Sequence, residues 1–224
     1  MYSLDSIVND ETARRREFPI AGRWAFFGNA GVAPLPRAVA DAVRGYATRS
    51  ERDGQDVPDN FALIGPCREK TAELLGVQME EVALLGPTSL GLSLVALGLD
   101  WEPGDEVVFY ADDYPANVYP WRGLAARGVR PVAMQTELPG VITWETVAAH
   151  LSDRTKLVSV ASNHFLSGYR PDIDRIGREL RARDILFCVD GIQTVGAFPT
   201  PLEHVDFMSA DSHKWMLGPN LAGV

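Results

Sequence analysis

Six short apolar runs recur along the chain, spaced so that a helix fits between successive members. That alternation narrows the fold more than any other feature. The runs are VALL (82–85), EVVFY (106–110), RPVAM (130–134), KLVSVAS (156–162), ILFCV (185–189) and VDFMS (205–209). They are near-continuously apolar and often β-branched, so they read as strands covered on both faces. Helices are expected near 36–50, 60–75, 89–98, 116–127, 142–151 and 172–183. In the first of these, Val39, Val43 and Tyr46 stand at helical spacing behind Pro34 and Pro36. The expected fold class is α/β, a mostly parallel sheet sandwiched by helices. Such sheets bind ligands beyond the carboxyl ends of their strands, which directs attention to the loops there.

A length of 224 residues suffices for one large α/β domain, and no internal repeat or low-complexity linker interrupts it. The net charge of −9 argues against nucleic acid and against an anionic membrane surface as partners. No apolar run approaches the roughly 20 residues of a membrane span. The first 20 residues lack the apolar centre of a signal peptide, so the expected location is the cytoplasm. Cys67 and Cys188 form no metal-ligand spacing and no disulfide framework, and no metal site is expected. Cys188, inside ILFCVD, reads as a small buried hydrophobe.

Four loops carry chemistry. In GPTSLGLSL, Thr88 and Ser89 fall where a helix begins. Their hydroxyls and the free N–H groups there suit a phosphate, and Thr88 suits equally a plain helix cap. In ADDYPANVYPW, Tyr114 projects an aromatic ring from a strand end, for packing or for a site. ILFCVDGIQTVG puts Asp190 at the end of a strongly apolar strand. A carboxylate there is costly without a cationic partner, unless it only turns the chain before Gly191. Gln193 lies three residues on. VDFMSADSHKW brings Lys214 to the end of another strand, where a partly desolvated amine acts as a nucleophile and a solvated one does nothing.

Taken together, FGNAGVAPLP, LGPTS, DDYPANVYPW, VDGIQTVG and SADSHKWMLGP resemble the class V aminotransferase family of pyridoxal-phosphate enzymes. That group includes cysteine desulfurases, selenocysteine lyases and isopenicillin N epimerase-like proteins. The resemblance runs from about residue 24 to the end. It implies a 23-residue N-terminal segment followed by the large domain of a fold-type I pyridoxal-phosphate-dependent transferase, from 24 to 224. It implies pyridoxal 5'-phosphate as cofactor, an amino acid as substrate and a homodimer. Lys214 would form the Schiff base and move protons, and Asp190 would pair with the pyridine nitrogen. Gln193 would bond the phenolic oxygen, and Tyr114 would stack on the ring. Thr88, Ser89 and His213 would hold the phosphate, and Ala30 and Gly31 would line the substrate side. The family's asparagine beside the cofactor falls on Asn163 or on His164, depending on how SNHFLSG is aligned.

Two departures stand out. Many relatives have serine three residues before the lysine, where this chain has Asp211. An acid beside a phosphate is unfavourable, so Asp211 is expected to point elsewhere, with Ser212 or Ser209 in its place. The family usually continues well beyond the lysine through a small C-terminal domain with a carboxylate-binding arginine, so this sequence is expected to be a fragment of a larger enzyme, and Arg170 is expected to face solvent instead of replacing that arginine. These features imply a pyridoxal-phosphate enzyme acting on amino acids, a transaminase or a lyase such as a cysteine desulfurase. The alternative is a cofactor-binding domain without activity.

Overall fold

A computed structural model describes residues 3–55 and 58–224. Five strands form its sheet: β1 Glu106–Tyr110, β2 Arg130–Met134, β3 Thr155–Ala161, β4 Leu186–Asp190 and β5 Phe207–Ser209. Their order is β2-β1-β3-β4-β5, and each neighbouring pair is parallel. The sheet follows from the apolar runs, because strands buried on both faces need helices on both faces. Val108, Tyr110, Val158, Val160, Phe187 and Val189 point one way, onto Val147, Ile173, Ile176 and Leu180. Val107, Phe109, Leu157 and Cys188 point the other way, onto Leu92, Ala96, Trp121 and Leu124. Cys188 is thus a core residue, and burial pushes its thiol up to about 12.

The helices, in chain order, are α1 Leu4–Asn9, α2 Glu11–Glu17, α3 Arg37–Asp53, α4 Pro58–Phe61, α5 Ile64–Leu75, α6 Thr88–Gly98, α7 Tyr119–Gly123, α8 Trp144–Ala148 and α9 Ile173–Arg181. α9 shows how local signals and packing agree. The Asp172 carboxylate accepts from the Arg175 N–H at 3.0 Å, and Ile173, Ile176 and Leu180 bury one stripe against the sheet. The N-terminal segment is helical and packed: Glu17 is buried and its carboxylate accepts from the Ala38 N–H at 3.0 Å. That contact caps α3, whose own N-cap, Pro36, offers no side-chain bond.

Three expected elements come out differently. VALL is not a strand: only Leu85 pairs, in a lone antiparallel bridge to Gly223. Residues 82–84 make no ladder, and Gly223, the partner of Leu85, bridges on its other side to Asp211. The expected helix over 116–127 breaks into a turn at Pro115–Asn117, α7 and a turn at Leu124–Arg127. Pro120 in its first turn and Gly123 and Gly128 at its ends shorten it. β5 begins only at Phe207; just before it Asp206 joins β4 twice, its N–H donating to the Phe187 carbonyl at 2.9 Å and its carboxylate accepting the Phe187 N–H at 2.8 Å.

Candidate active site

The chain passes from β1 outward to β2 and then returns to β3 on the other side, so the loops leaving β1 and β3 diverge and open a crevice. A cavity of about 530 Å³ lies at these carboxyl ends. Tyr114 and Ala116 reach it from the loop after β1, and Phe165 from the loop after β3. Asp190, Ile192 and Gln193 line it from the end of β4, and Asp211, His213 and Lys214 from the end of β5. The first turn of α6 adds Thr88 and Ser89, and the N-terminal loop adds Ala30 and Gly31. Two contacts tie that distant loop to the strand ends: the Ala33 N–H donates to the His213 carbonyl at 2.8 Å, and Gln193 Nε2 donates to the Ala30 carbonyl at 3.0 Å.

Asp190 is fully buried, and burial first, then the second acid Asp113, pushes its carboxyl up to about 7. Its Oδ1 accepts the Ile192 N–H at 3.1 Å, which favours the charged form, as Lys214 also does. Lys214 is 8% exposed. Burial lowers its pKa, against the opposing pull of Asp190 and Asp211. Its Nζ stands 5.6 Å from the centroid of the Tyr114 ring. An acid held above its ordinary range and an amine held below it, facing one cavity, are the pairing that general acid–base and nucleophilic chemistry needs.

Gln193 is oriented at both ends. Its Nε2 donates to Ala30, and its Oε1 accepts from the Trp215 indole N–H at 3.2 Å, which leaves one amide hydrogen for the cavity. Thr88 is not a helix cap: Pro87 is the N-cap, and Thr88 Oγ1 accepts the Asp211 N–H at 2.8 Å. The Thr88 and Ser89 N–H groups, the first two of the eleven-residue α6, have no partner within the helix, and both residues line the cavity; the next, Leu90, donates to the Pro87 carbonyl at 2.8 Å. Asp211 does not point elsewhere, because it lines the cavity. Its placement has a physical cause: the Thr88 bond fixes its backbone, and its carboxylate accepts the His213 N–H at 3.2 Å and the Leu221 N–H at 3.3 Å. His213 Nδ1 also lies 2.9 Å from Asp211 Oδ1, without hydrogen-bond alignment.

Other expected residues lie apart from the cavity. Asn163 Nδ2 donates to the Gly168 carbonyl at 3.1 Å. His164 is buried, with Nδ1 2.9 Å from Ser167 Oγ and Nε2 3.2 Å from the Asp112 carbonyl. The neighbour that does line the cavity is Phe165, edge-on to Tyr114 at 5.4 Å. Its signal was an apolar ring set in the polar run SNHFLSG, which fits no buried element. Ser212 and Ser209 donate to the Pro219 and Val224 carbonyls and do not replace Asp211. Arg170 is exposed, its guanidinium 4.2 Å over the Phe198 ring and outside the cavity. Among the described residues no acidic or histidine cluster can hold a metal ion, and no helix is long and apolar enough to cross a membrane.

The parallel sheet with helices on both faces and a cavity at the strand ends is an arrangement that the large domain of the fold-type I pyridoxal-phosphate-dependent transferases shares. The solved structure of C-DES with glycine covalently linked to the pyridoxal-phosphate cofactor superimposes with a TM-score of 0.83, at 21% identity, over 93% of this chain and 58% of that one. The family model for aminotransferase class-V matches residues 25–224, and the chain belongs to that family. It is 26% identical to a probable cysteine desulfurase of Methanothermobacter thermautotrophicus, over 92% of this chain and 53% of the relative. It is 29% identical to the isopenicillin N epimerase of Streptomyces clavuligerus, over 85% of this chain and 50% of the relative. The chain therefore spans about half the length of the curated relatives it matches.

Proposed function

We propose that the chain binds pyridoxal 5'-phosphate in this cavity and acts on amino acids, as a transaminase or as a lyase of the cysteine desulfurase kind. The observation that carries the reading is Lys214 opposite Asp190: a buried amine with a lowered pKa and a buried carboxyl raised to about 7, on adjacent strand ends. The donor set fits the cofactor. The free N–H groups of α6 and the Ser89 hydroxyl suit its phosphate, with His213 beside them. A cationic ring nitrogen suits Asp190, and the remaining Gln193 hydrogen suits a phenolate oxygen. Asp211 is the one misfit, and its two bonds from backbone N–H groups offset part of its charge.

When bound, the cofactor supplies an electron sink for charge developing at the amino acid's Cα. Lys214 Nζ would hold it and, with its lowered pKa, would accept and return the Cα proton. Asp190 would pair with the ring nitrogen and keep it charged, and Tyr114 would stack on the ring. The Asp113 network and the Gln193–Ala30 bond keep these groups in place before the substrate enters. Ala30 and Gly31 border the substrate side without bulk.

The test is to incubate the chain with pyridoxal phosphate, reduce it with borohydride and map the peptides by mass. The expected tag sits on Lys214 and is lost in Lys214→Ala. A tag on another lysine, or an unchanged tag in the variant, overturns the reading. A second reading, binding without turnover, is favoured by one feature: among the described residues no arginine lines the cavity to hold a substrate carboxylate. Spectral change and product formation with cysteine and other amino acids separate the two.

A further inference from the structure

Asp113 does not line the cavity, yet it holds what does. It directly precedes Tyr114 and is buried. Its Oδ1 accepts the Tyr114 N–H at 2.7 Å. Its Oδ2 accepts the Asn117 side-chain amide at 2.9 Å and the Ala161 N–H at 3.2 Å. Ala161 is the last residue of β3 and the register partner of Asp190. The carboxylate thus spans from the loop after β1 to the strand beside Asp190. Asn117 extends the anchor inward, since its Oδ1 accepts from the Trp121 indole N–H at 3.0 Å and from Ser159 Oγ at 2.6 Å. Asp113, Asn117, Trp121, Ser159 and Ala161 are all buried, and the network ends in a tyrosine that is half exposed.

The Tyr114 ring has little to hold it. It meets Phe165 edge-on and stands 5.6 Å from Lys214 Nζ, two weak contacts. The backbone beneath it is what is fixed. A carboxylate with three N–H donors is a strong acceptor, and deleting one partner strands the others.

We propose that Asp113 is a positioning residue of the cavity: its carboxylate clamps the Tyr114 loop to the carboxyl end of β3 and so fixes the Tyr114 ring opposite Lys214. The proposal takes the cavity to be the cofactor site argued above. The titratable groups around Asp113 are Tyr114 on its own loop, His164 after β3 and Asp190 on β4, with Lys214 across the cavity. Asp113 is itself pushed upward by burial, and its charge in turn pushes Asp190 upward.

The experiment labels the full chain with 3-fluorotyrosine and follows the Tyr114 fluorine resonance, assigned by its loss in Tyr114→Phe. The variants are Asp113→Asn and Asn117→Ala. A neutral amide cannot accept from three N–H donors placed at both ends, because its own NH₂ then faces one of them. The expected result is a narrow Tyr114 line in the parent and a displaced or broadened line in both variants. The lines are all read at one pH, well below the ionisation of the fluorinated phenol. Pyridoxal-phosphate affinity falls about tenfold in both variants. An unchanged line in folded Asp113→Asn overturns the proposal. If that variant does not fold, an unchanged line in Asn117→Ala does so. The fluorine readouts need no cofactor, so failure of the parent to bind pyridoxal phosphate refutes the proposed function and leaves this test standing.

Discussion

Asp190→Asn separates what the carboxyl costs the fold from what it gives the chemistry. In the folded chain the group is held up to about 7, against 3.8 for an ordinary aspartate. Below the ordinary value both folded and unfolded chains carry the proton, and nothing is lost. Between the two values only the folded chain keeps it, so stability falls as pH rises, and the loss is complete once pH passes the folded value. Three pH units at 1.36 kcal/mol each make the loss on the order of 4 kcal/mol. Asparagine has nearly the same shape, and its Oδ1 can still accept the Ile192 N–H, so it escapes the penalty. The two proteins should match in urea unfolding near pH 4, and the variant should be the more stable near pH 8 by up to about 4 kcal/mol. Lys214 reduces that gain, because Asp190 supports its charge. Turnover should move the opposite way and fall by orders of magnitude, since the ring nitrogen loses its anion. A stability difference that does not change with pH would refute the burial argument, and near-normal turnover would refute the assigned partner.

Other positions give sharper structural tests. Thr88→Val removes the acceptor for the buried Asp211 N–H and should cost about 1–3 kcal/mol in chemical unfolding, with weaker pyridoxal-phosphate binding as Asp211 is released. Gly91→Ala would place a Cβ 2.2 Å from Ser209 Oγ and 2.8 Å from its Cβ, and should destabilise by about 1–3 kcal/mol by pushing α6 off β5. Tyr114→Ala, at a half-exposed ring, should change unfolding by less than about 1 kcal/mol while reducing affinity for pyridoxal phosphate; a large loss of stability would show that the ring is structural.

The parallel sheet was legible because its strands are buried on both faces, which writes them into the sequence as continuous apolar runs. EVVFY and RPVAM coincide with β1 and β2 residue for residue. VALL misled for the same reason: Val82 is buried, but by packing rather than by a ladder, and composition does not distinguish the two. The strand order was not legible at all. Which strand lies beside β1 is decided by how α6 and α9 take opposite faces, a tertiary choice that leaves no local trace.

The site was legible where a residue type breaks a local rule. A carboxylate ending LFCVD and a lysine after FMSADSH are both misplaced for a plain α/β core, and both face the cavity. Elsewhere the rules are kept: Asp172 caps α9, Gly76 closes α5 in the left-handed conformation, and the charges of α9 pair along its outer face. Residues that obey a local rule while serving the site stayed hidden. Asp113 in DDYP looks like an ordinary turn acid, and only the approach of Ala161 from β3 shows that it is an anchor. Thr88 at a helix start looks like a cap, and only Asp211, 123 positions away, claims its hydroxyl. Both depend on contacts between segments far apart in sequence, so the groups proposed to position the chemistry are harder to read than the groups proposed to perform it. Asp190 and Lys214 announce themselves because a charge in an apolar strand end is costly. The residues that hold them in place remove that kind of cost by pairing, and pairing is what leaves no mark on a sequence read one segment at a time.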